Sequence, residues 1–404
     1  MDPITLTYGA DEPLVLECLD GVRPVVFEPP AGESGGAAGR MVTAAIAAPP
    51  HGPPLSAHVV PGDRVVVALA GAVPQAAAVV AAVTEQLVAA RVEPGDITVI
   101  EGPPLGPSAG GTESVAEPPP GSQAFDPGNE SATAYLAADE AGRPLYLARQ
   151  LVDADVVVAV GGWGWNAAFA GRSLEGELWP TFSRAACRHD LAVALARRGR
   201  NALPDWRSSM QEIVWQLGVC ASLRLVAGRS GTLVAACFGL PDEAGRRARA
   251  AAAAWCPLVE RPVDLSIATL SDPYGGFGRL LAAVAAAARA TRPGGTICVA
   301  SRTAAEPGII FQRWRQGAPL EGLVHEAVAS GDQALVVDAL LTRLFARALD
   351  DRRLVLLSNL GEDTVEELEF GYAASPEVVE RLAHRAESLA VLPEADLALP
   401  QSPR

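Results

Sequence analysis

The chain of 404 residues contains no lysine: all 32 of its basic positions are arginine. A guanidinium stays protonated at any useful pH and forms no Schiff base. Pyridoxal enzymes, lysine-dependent aldolases and phosphate loops of the G-x-x-x-x-G-K-[ST] type are therefore excluded together. Histidine is scarce as well, with five positions at 51, 58, 189, 325 and 384, and no H-E-x-x-H or G-x-S-x-G stretch occurs. Six cysteines, at 18, 187, 220, 237, 256 and 298, never fall at C-x-x-C spacing. Several sit in apolar runs such as Ala235-Ala236-Cys237-Phe238, the pattern of buried free thiols in a reducing compartment rather than of disulfides or a zinc ribbon.

Excess positive charge is missing too. The formal net charge is −15, which leaves no basic face to neutralise phosphates and argues against a nucleic-acid partner. Long apolar runs are absent: the alanine-rich stretch 76–90 is interrupted by Thr84-Glu85-Gln86, and Met1-Asp2-Pro3-Ile4-Thr5 opens no leader. No membrane partner is expected, and the expected location is cytoplasmic. A small-molecule ligand is the partner class left standing, with the oligomeric state open.

What is present is a globular composition, 49% hydrophobic and 20% charged, long enough for two domains. Strands are expected at 4–8, 13–18 and 23–28, a loop at 29–39 and a helix at 39–48. Pro61-Gly62-Asp63 turns into a buried strand at 64–69, followed by a helix near 75–91 and a strand at 97–100, a strand–helix–strand unit. Residues 102–130 read as a long Pro/Gly/Ser loop. Strands at 155–160, 223–228 and 233–238 precede a helix near 242–255. Beyond the junction at Trp255–Pro262 come strand 264–270, helix 277–291, strand 296–300, helices 319–329 and 333–348, strand 353–358 and helix 375–387. The reading is α/β: two layered α/β domains with largely parallel sheets and an interdomain cleft, divided as 1–258 and 259–404.

Parallel strands open onto ligand crevices at their C-terminal ends. Gly161, Gly162, Trp163 and Asn166, which follow strand 155–160, therefore form the expected binding lip, with Gly102 beside them. Arg172 and Arg302, each shortly beyond a strand end, suit a carboxylate or phosphate. His189, in Cys187-Arg188-His189-Asp190, is the metal-ligand candidate. Glu101, Asn166, His189 and Asp272 are the weak catalytic candidates. Trp163, Trp165 and Trp179 would face a partner if they were exposed.

Taken in order, these segments resemble the nickel-pincer lactate racemase family. The similarity is carried by Leu6-Thr7-Tyr8-Gly9, by Pro53-Pro54-Leu55 through Val60-Pro61-Gly62-Asp63-Arg64-Val65, and by Ala154-Asp155-Val156-Val157-Val158-Ala159-Val160. Phe169-Ala170-Gly171, Gly294-Gly295-Thr296-Ile297 and Val391-Leu392-Pro393-Glu394-Ala395 extend it to the end. The resemblance implies a nickel held by a pyridinium dithio-nucleotide tethered to lysine, one nickel-ligating histidine and two proton-exchanging histidines. The residues here depart from that set. The family's D-x-T-R-P-x-P reads Ala68-Leu69-Ala70-Gly71-Ala72-Val73-Pro74, and its T-G-F-H-R reads Glu101-Gly102-Pro103-Pro104-Leu105. The second proton-exchanging histidine falls on Asn166, the tether near Gly176, and the nickel ligand near His189. A divergent member lacking the catalytic His/Lys set is expected, a pseudoenzyme or small-molecule binder at the cleft whose cofactor is unknown. The alternative is an active isomerase of 2-hydroxy acids with an altered nickel-pincer or other cofactor site.

Overall fold

A computed structural model describes residues 3–9, 13–17, 23–104, 119–139, 142–174 and 176–402; Cys18 and most of the expected long loop, 105–118, lie outside them. In chain order the strands are β1 (Ile4–Thr7), β2 (Pro13–Leu16), β3 (Val25–Val26), β4 (Val65–Ala70), β5 (Ile97–Gly102), β6 (Gln123–Ala124), β7 (Thr133–Ala138), β8 (Pro144–Ala148) and β9 (Val156–Gly162). They continue as β10 (Trp165–Asn166), β11 (Gly171–Arg172), β12 (Ala221–Ala227), β13 (Leu233–Gly239), β14 (Val263–Thr269), β15 (Thr291–Ala300), β16 (Arg353–Leu357), β17 (Gly371–Tyr372) and β18 (Leu389–Leu392).

Two 6-stranded sheets result, in the orders β13-β12-β9-β4-β5-β6 and β17-β16-β15-β14-β18-β3. The first is parallel except for the β12–β13 hairpin, and the second is parallel throughout. The layered α/β architecture expected from the sequence is the one observed. Strand β3 lies near the start of the chain, yet it adds to the second sheet beside β18.

The alternation of side chains along the central strands sorts the core into layers. Val65, Val67 and Leu69 of β4 pack outward with Val156, Val158 and Val160 of β9. They meet the helices Gly35–Ala47, through Ala38, Val42 and Ile46, and Ala76–Ala89, through Val79, Val83 and Leu87. The opposite faces, Val66, Ala68, Val157 and Ala159, join one apolar cluster with Ala268, Ile297 and Val299 of the second sheet. Helices Ala185–Arg198, Leu203–Gln216, Phe277–Ala290 and Gln333–Leu349 fill that middle layer. The far face of the second sheet packs Ile267 and Cys298 against Leu6, Tyr8 and Leu14 of the β1–β2 hairpin.

Some boundaries differ from the expectation. The strand expected at 23–28 is two residues, Val25–Val26, and the loop expected at 29–39 gives way to helix at Gly35. Both β3 valines are exposed, so only main-chain bonding to β18 holds them extended. The sequence gives no bounds for helices Ala185–Arg198 and Leu203–Gln216, although His189 and the basic run at Arg197-Arg198 read as helix-face and helix-end residues. Strand β15 starts at Thr291 rather than 296, with a register break against β14 that lets Pro293-Gly294-Gly295 bulge outward.

Candidate functional site

The first sheet changes direction between β4 and β9, since later strands add outward on either side of that pair. Such a switch point is where an open α/β sheet seats a ligand. Here the chain's own backbone occupies it. A Cβ at Gly162 would stand 2.6 Å from the carbonyl oxygen of Ala72, and one at Gly161 would stand 2.5 Å from Cα of Gly176. Gly176 itself adopts φ +84°, a left-handed conformation, with its Cα directed at the Gly162 carbonyl. Gly102 packs as tightly on Thr181 and Phe182. Glycine at these positions admits the 71–74 and 176–182 segments, so the expected lip is a packing surface.

The tryptophans complete that packing. Trp163, Trp165 and Trp179 are 6%, 9% and 5% exposed, so these three offer no surface to a partner. Trp163 meets Trp165 edge-on at 4.8 Å, Trp179 stacks on Trp206 at 4.8 Å, and the Trp165 indole N–H donates to Ala252 O at 2.8 Å.

Beside this plug lies a charge cluster. Arg224 sits in mid-strand on β12 between Leu223 and Leu225, which belong to the outer core. Alternation therefore sends its side chain into the middle layer. It donates to the Gly176 carbonyl and faces Glu177 Oε2 at 3.6 Å. The other oxygen of Glu177 is paired with Arg172, and Arg207 donates to the Arg172 carbonyl at 2.9 Å. Burial lowers both guanidiniums to about 10, and at Arg172 the neighbouring Arg224 and Arg207 push the same way against a smaller opposing pull from Asp242. Among the described residues, buried Arg224 and half-buried Arg172 thus share one buried carboxylate, a local excess of positive charge inside a protein of net charge −15. The Arg172 side chain is 33% exposed, so solvent reaches the cluster through it.

The other sequence-derived candidates are dispersed. Asn166 caps the short turn at Ala167–Phe169: its Oδ1 accepts from the amides of Ala168 at 3.0 Å and Phe169 at 3.4 Å. Glu101 accepts a hydrogen bond from Ser122. Asp272 accepts from the Tyr274 amide at 3.1 Å in the turn after β14. Arg302 lies 4.8 Å above the Tyr8 ring and reaches Asn359 at the mouth of the second sheet. His189 is half-buried on helix Ala185–Arg198. Among the described residues, no three His, Cys, Asp or Glu side chains are placed to hold a metal ion.

Two thiols near these elements are chemically quiet. Burial pushes Cys187 up to about 11 and Cys298 up to about 12, so neither is a thiolate near neutrality. Iodoacetamide at pH 8 is expected to leave both unlabelled in the folded protein and to label both in denaturant. Peptide mass spectrometry reads this directly, and labelling of the folded protein at the rate of a free thiol would contradict it.

Glu177, Arg207 and Arg224 were not singled out from the sequence. Arg224 carried a signal, a lone charge inside the apolar run Ala221–Ala227; Glu177 and Arg207 carried none. An open hollow of about 430 Å³, lined by Arg64, Asp96, Thr98, Arg149, Gln150 and Asp153 among others, lies at the opposite, N-terminal ends of β4 and β5.

No protein-family model matches the sequence, and no curated protein matches it. Solved structures do. The chain is similar to the lactate racemase apoprotein from Thermoanaerobacterium thermosaccharolyticum, with a TM-score of 0.73 and 15% identity over 99% of this chain and 100% of that one. It is also similar to a protein from Thermotoga maritima, with a TM-score of 0.57 and 11% identity over 84% and 93% of the two chains. At these identities the likeness is one of architecture: the chain has a lactate racemase-like fold.

Proposed function

We propose that this is a non-racemising protein of lactate racemase-like fold that binds a small organic anion, a carboxylate, at Arg172. The observation that carries the reading is the charge imbalance: Arg172 and Arg224 share Glu177, and Arg172 alone of the pair is reachable from solvent. A bound carboxylate would complete the pairing with the bidentate geometry that guanidinium offers.

The nickel-pincer group does not fit the residues present. The chain has no lysine to tether it. The backbone at Gly176, near the tether position, is pressed onto Gly161 and Gly162. The side-chain oxygen of Asn166 is engaged by two amides, and a carboxamide takes no proton from a substrate hydroxyl. Loss of even one positioned base costs about 10²–10⁴ in rate. No step is routed through the group.

Thermal melting with D-lactate, L-lactate and acetate, against chloride and phosphate, tests the proposal. A saturable rise in Tm with a carboxylate is expected. Arg172→Ala should weaken binding by roughly tenfold to a hundredfold, the worth of a hydrogen bond to a charged group, while Glu177 keeps Arg224 and the unliganded variant melts near the parent. Equal binding by both proteins would sink the assignment. Purified protein carrying stoichiometric nickel, or interconverting the lactate enantiomers, would instead establish the active-isomerase reading.

A further inference from the structure

The second sheet has a switch point of its own, between β14 and β18, because β15, β16 and β17 all add on the other side of β14. Two carboxylates stand at the C-terminal ends of these strands, Glu394 and Asp396, which are 9% and 5% exposed. Asp396 is fully engaged. It accepts from the Ser271 amide at 2.7 Å, from the Ser271 hydroxyl at 2.6 Å and from Arg279 at 3.1 Å. Glu394 is not. One of its oxygens accepts from the Ser230 amide at 2.9 Å, while the other, also buried, has no hydrogen-bond partner.

The geometry of this contact is unusual in that both ends are held in the left-handed region. Glu394 has φ 49° and Ser230 has φ 55°, a conformation that costs a non-glycine residue on the order of 1 kcal/mol or more. Ser230 belongs to the turn between β12 and β13 of the first sheet, and the Glu394 amide donates to Thr269 Oγ1 of β14 at 3.2 Å. The bond between them therefore joins the two sheets.

We propose that Glu394 and Ser230 form a proton-controlled latch between the two sheets, closed when Glu394 carries a proton and loosened when it is ionised. The groups around Glu394 set the direction. The Asp396 carboxylate on its own turn opposes ionisation. From the β12–β13 turn, Arg229 favours ionisation, as do the amide and hydroxyl of Ser230. Arg279, on helix Phe277–Ala290, is committed to Asp396. The hairpin strand β10 packs against the turn that follows Glu394 and brings Trp165 and Asn166, neither of which titrates. Desolvation outweighs the favourable contacts and raises Glu394 from 4.5 to about 7.

The sign follows from linkage. A carboxyl whose folded value is raised binds more protons folded than unfolded. Its contribution is fully present below the unfolded value and is lost as pH rises through about 7. The shift sets a ceiling of roughly 70-fold on the change in the opening constant between pH 5 and 8, the steepest part being tenfold per unit.

The test compares the full-length protein with Glu394→Gln, which mimics the protonated acid, in urea unfolding from pH 5 to 8. Amide exchange is followed across residues 228–233. The wild type is expected to lose stability relative to Glu394→Gln as pH rises, with protection of the Ser230 amide, taken relative to its base-catalysed intrinsic exchange rate, falling in the wild type alone. Identical pH profiles for the two proteins would overturn the proposal. So would a pH-dependent difference in stability that leaves exchange at 228–233 unchanged, since that would make Glu394 a local acid and no latch. Should Glu394→Gln fold poorly, Glu394→Gly keeps the left-handed backbone and removes the carboxyl. Its pH profile should follow that expected of Glu394→Gln, and a slope as steep as the wild type's would count against the latch.

Discussion

Glu177→Gln is expected to destabilise the protein by about 3–5 kcal/mol, the usual cost of removing one partner from a buried ion pair. The glutamine keeps the shape and removes the charge. Arg224, with 8% of its side chain exposed, would then have no carboxylate paired with it among the described residues, and Arg172 would face it across the gap. Urea unfolding should show a lower midpoint with an unchanged slope, the signature of a change in stability rather than in surface exposed. Replacing Glu177 and Arg224 together by leucine or methionine should recover most of the loss, because the penalty comes from the orphaned charge. The same variant informs the function proposed above. With its internal carboxylate gone, the arginine cluster should take an external one more tightly, so acetate or lactate should raise the midpoint of Glu177→Gln by more than that of the parent. If the variant melts like the parent, the charge cluster carries neither the stability nor the binding argued for it.

Much of the scaffold was legible because burial on both faces of a parallel strand leaves an unbroken apolar run. Arg64–Leu69, Asp155–Val160 and Asp264–Leu270 announced their strands within a residue or two. Helices Ala185–Arg198 and Leu203–Gln216 could not be delimited, for the opposite reason. Each buries a narrow stripe, Leu191, Leu195 and Ala196 in the first and Leu203, Met210 and Ile213 in the second. The charged and polar residues between these positions hide the period.

The site was legible only in part, and the glycines show why. The sequence marks Gly161 and Gly162 as a ligand-binding lip, because a glycine admits close approach. What a glycine cannot disclose is whose atoms approach. The approaching chain is Gly176, fourteen to fifteen residues downstream, held there by Arg224 of a different strand. Arg172 was identifiable as an anion-binding type of residue, but its partner Glu177 lies in a turn with no periodic signal. The pairing with Arg224 exists only once β12 is laid beside β9.

Gly176→Ala should be the most damaging small substitution at the strand mouth, costing about 2–4 kcal/mol. Two effects add. The residue sits at φ +84°, where an alanine pays roughly 1 kcal/mol or more of backbone strain. Its new methyl would also be driven into the Gly162 carbonyl, an atom that cannot rotate away, which is an overpacking cost of about 1–3 kcal/mol. Gly161→Ala should behave similarly but more mildly, since only the steric part applies: the added Cβ would lie 2.5 Å from Cα of Gly176 and 2.7 Å from its carbonyl oxygen. Gly164 provides the internal control. It lies in the same sequence run, yet a Cβ there meets nothing within 4 Å, so Gly164→Ala should change stability by less than about 0.5 kcal/mol. The ordering Gly176, then Gly161, then Gly164 is what distinguishes a mouth shut by the protein's own backbone from one kept open for a ligand. An open crevice would tolerate a methyl group at all three positions, apart from the strain at Gly176, and would register the change in ligand affinity instead.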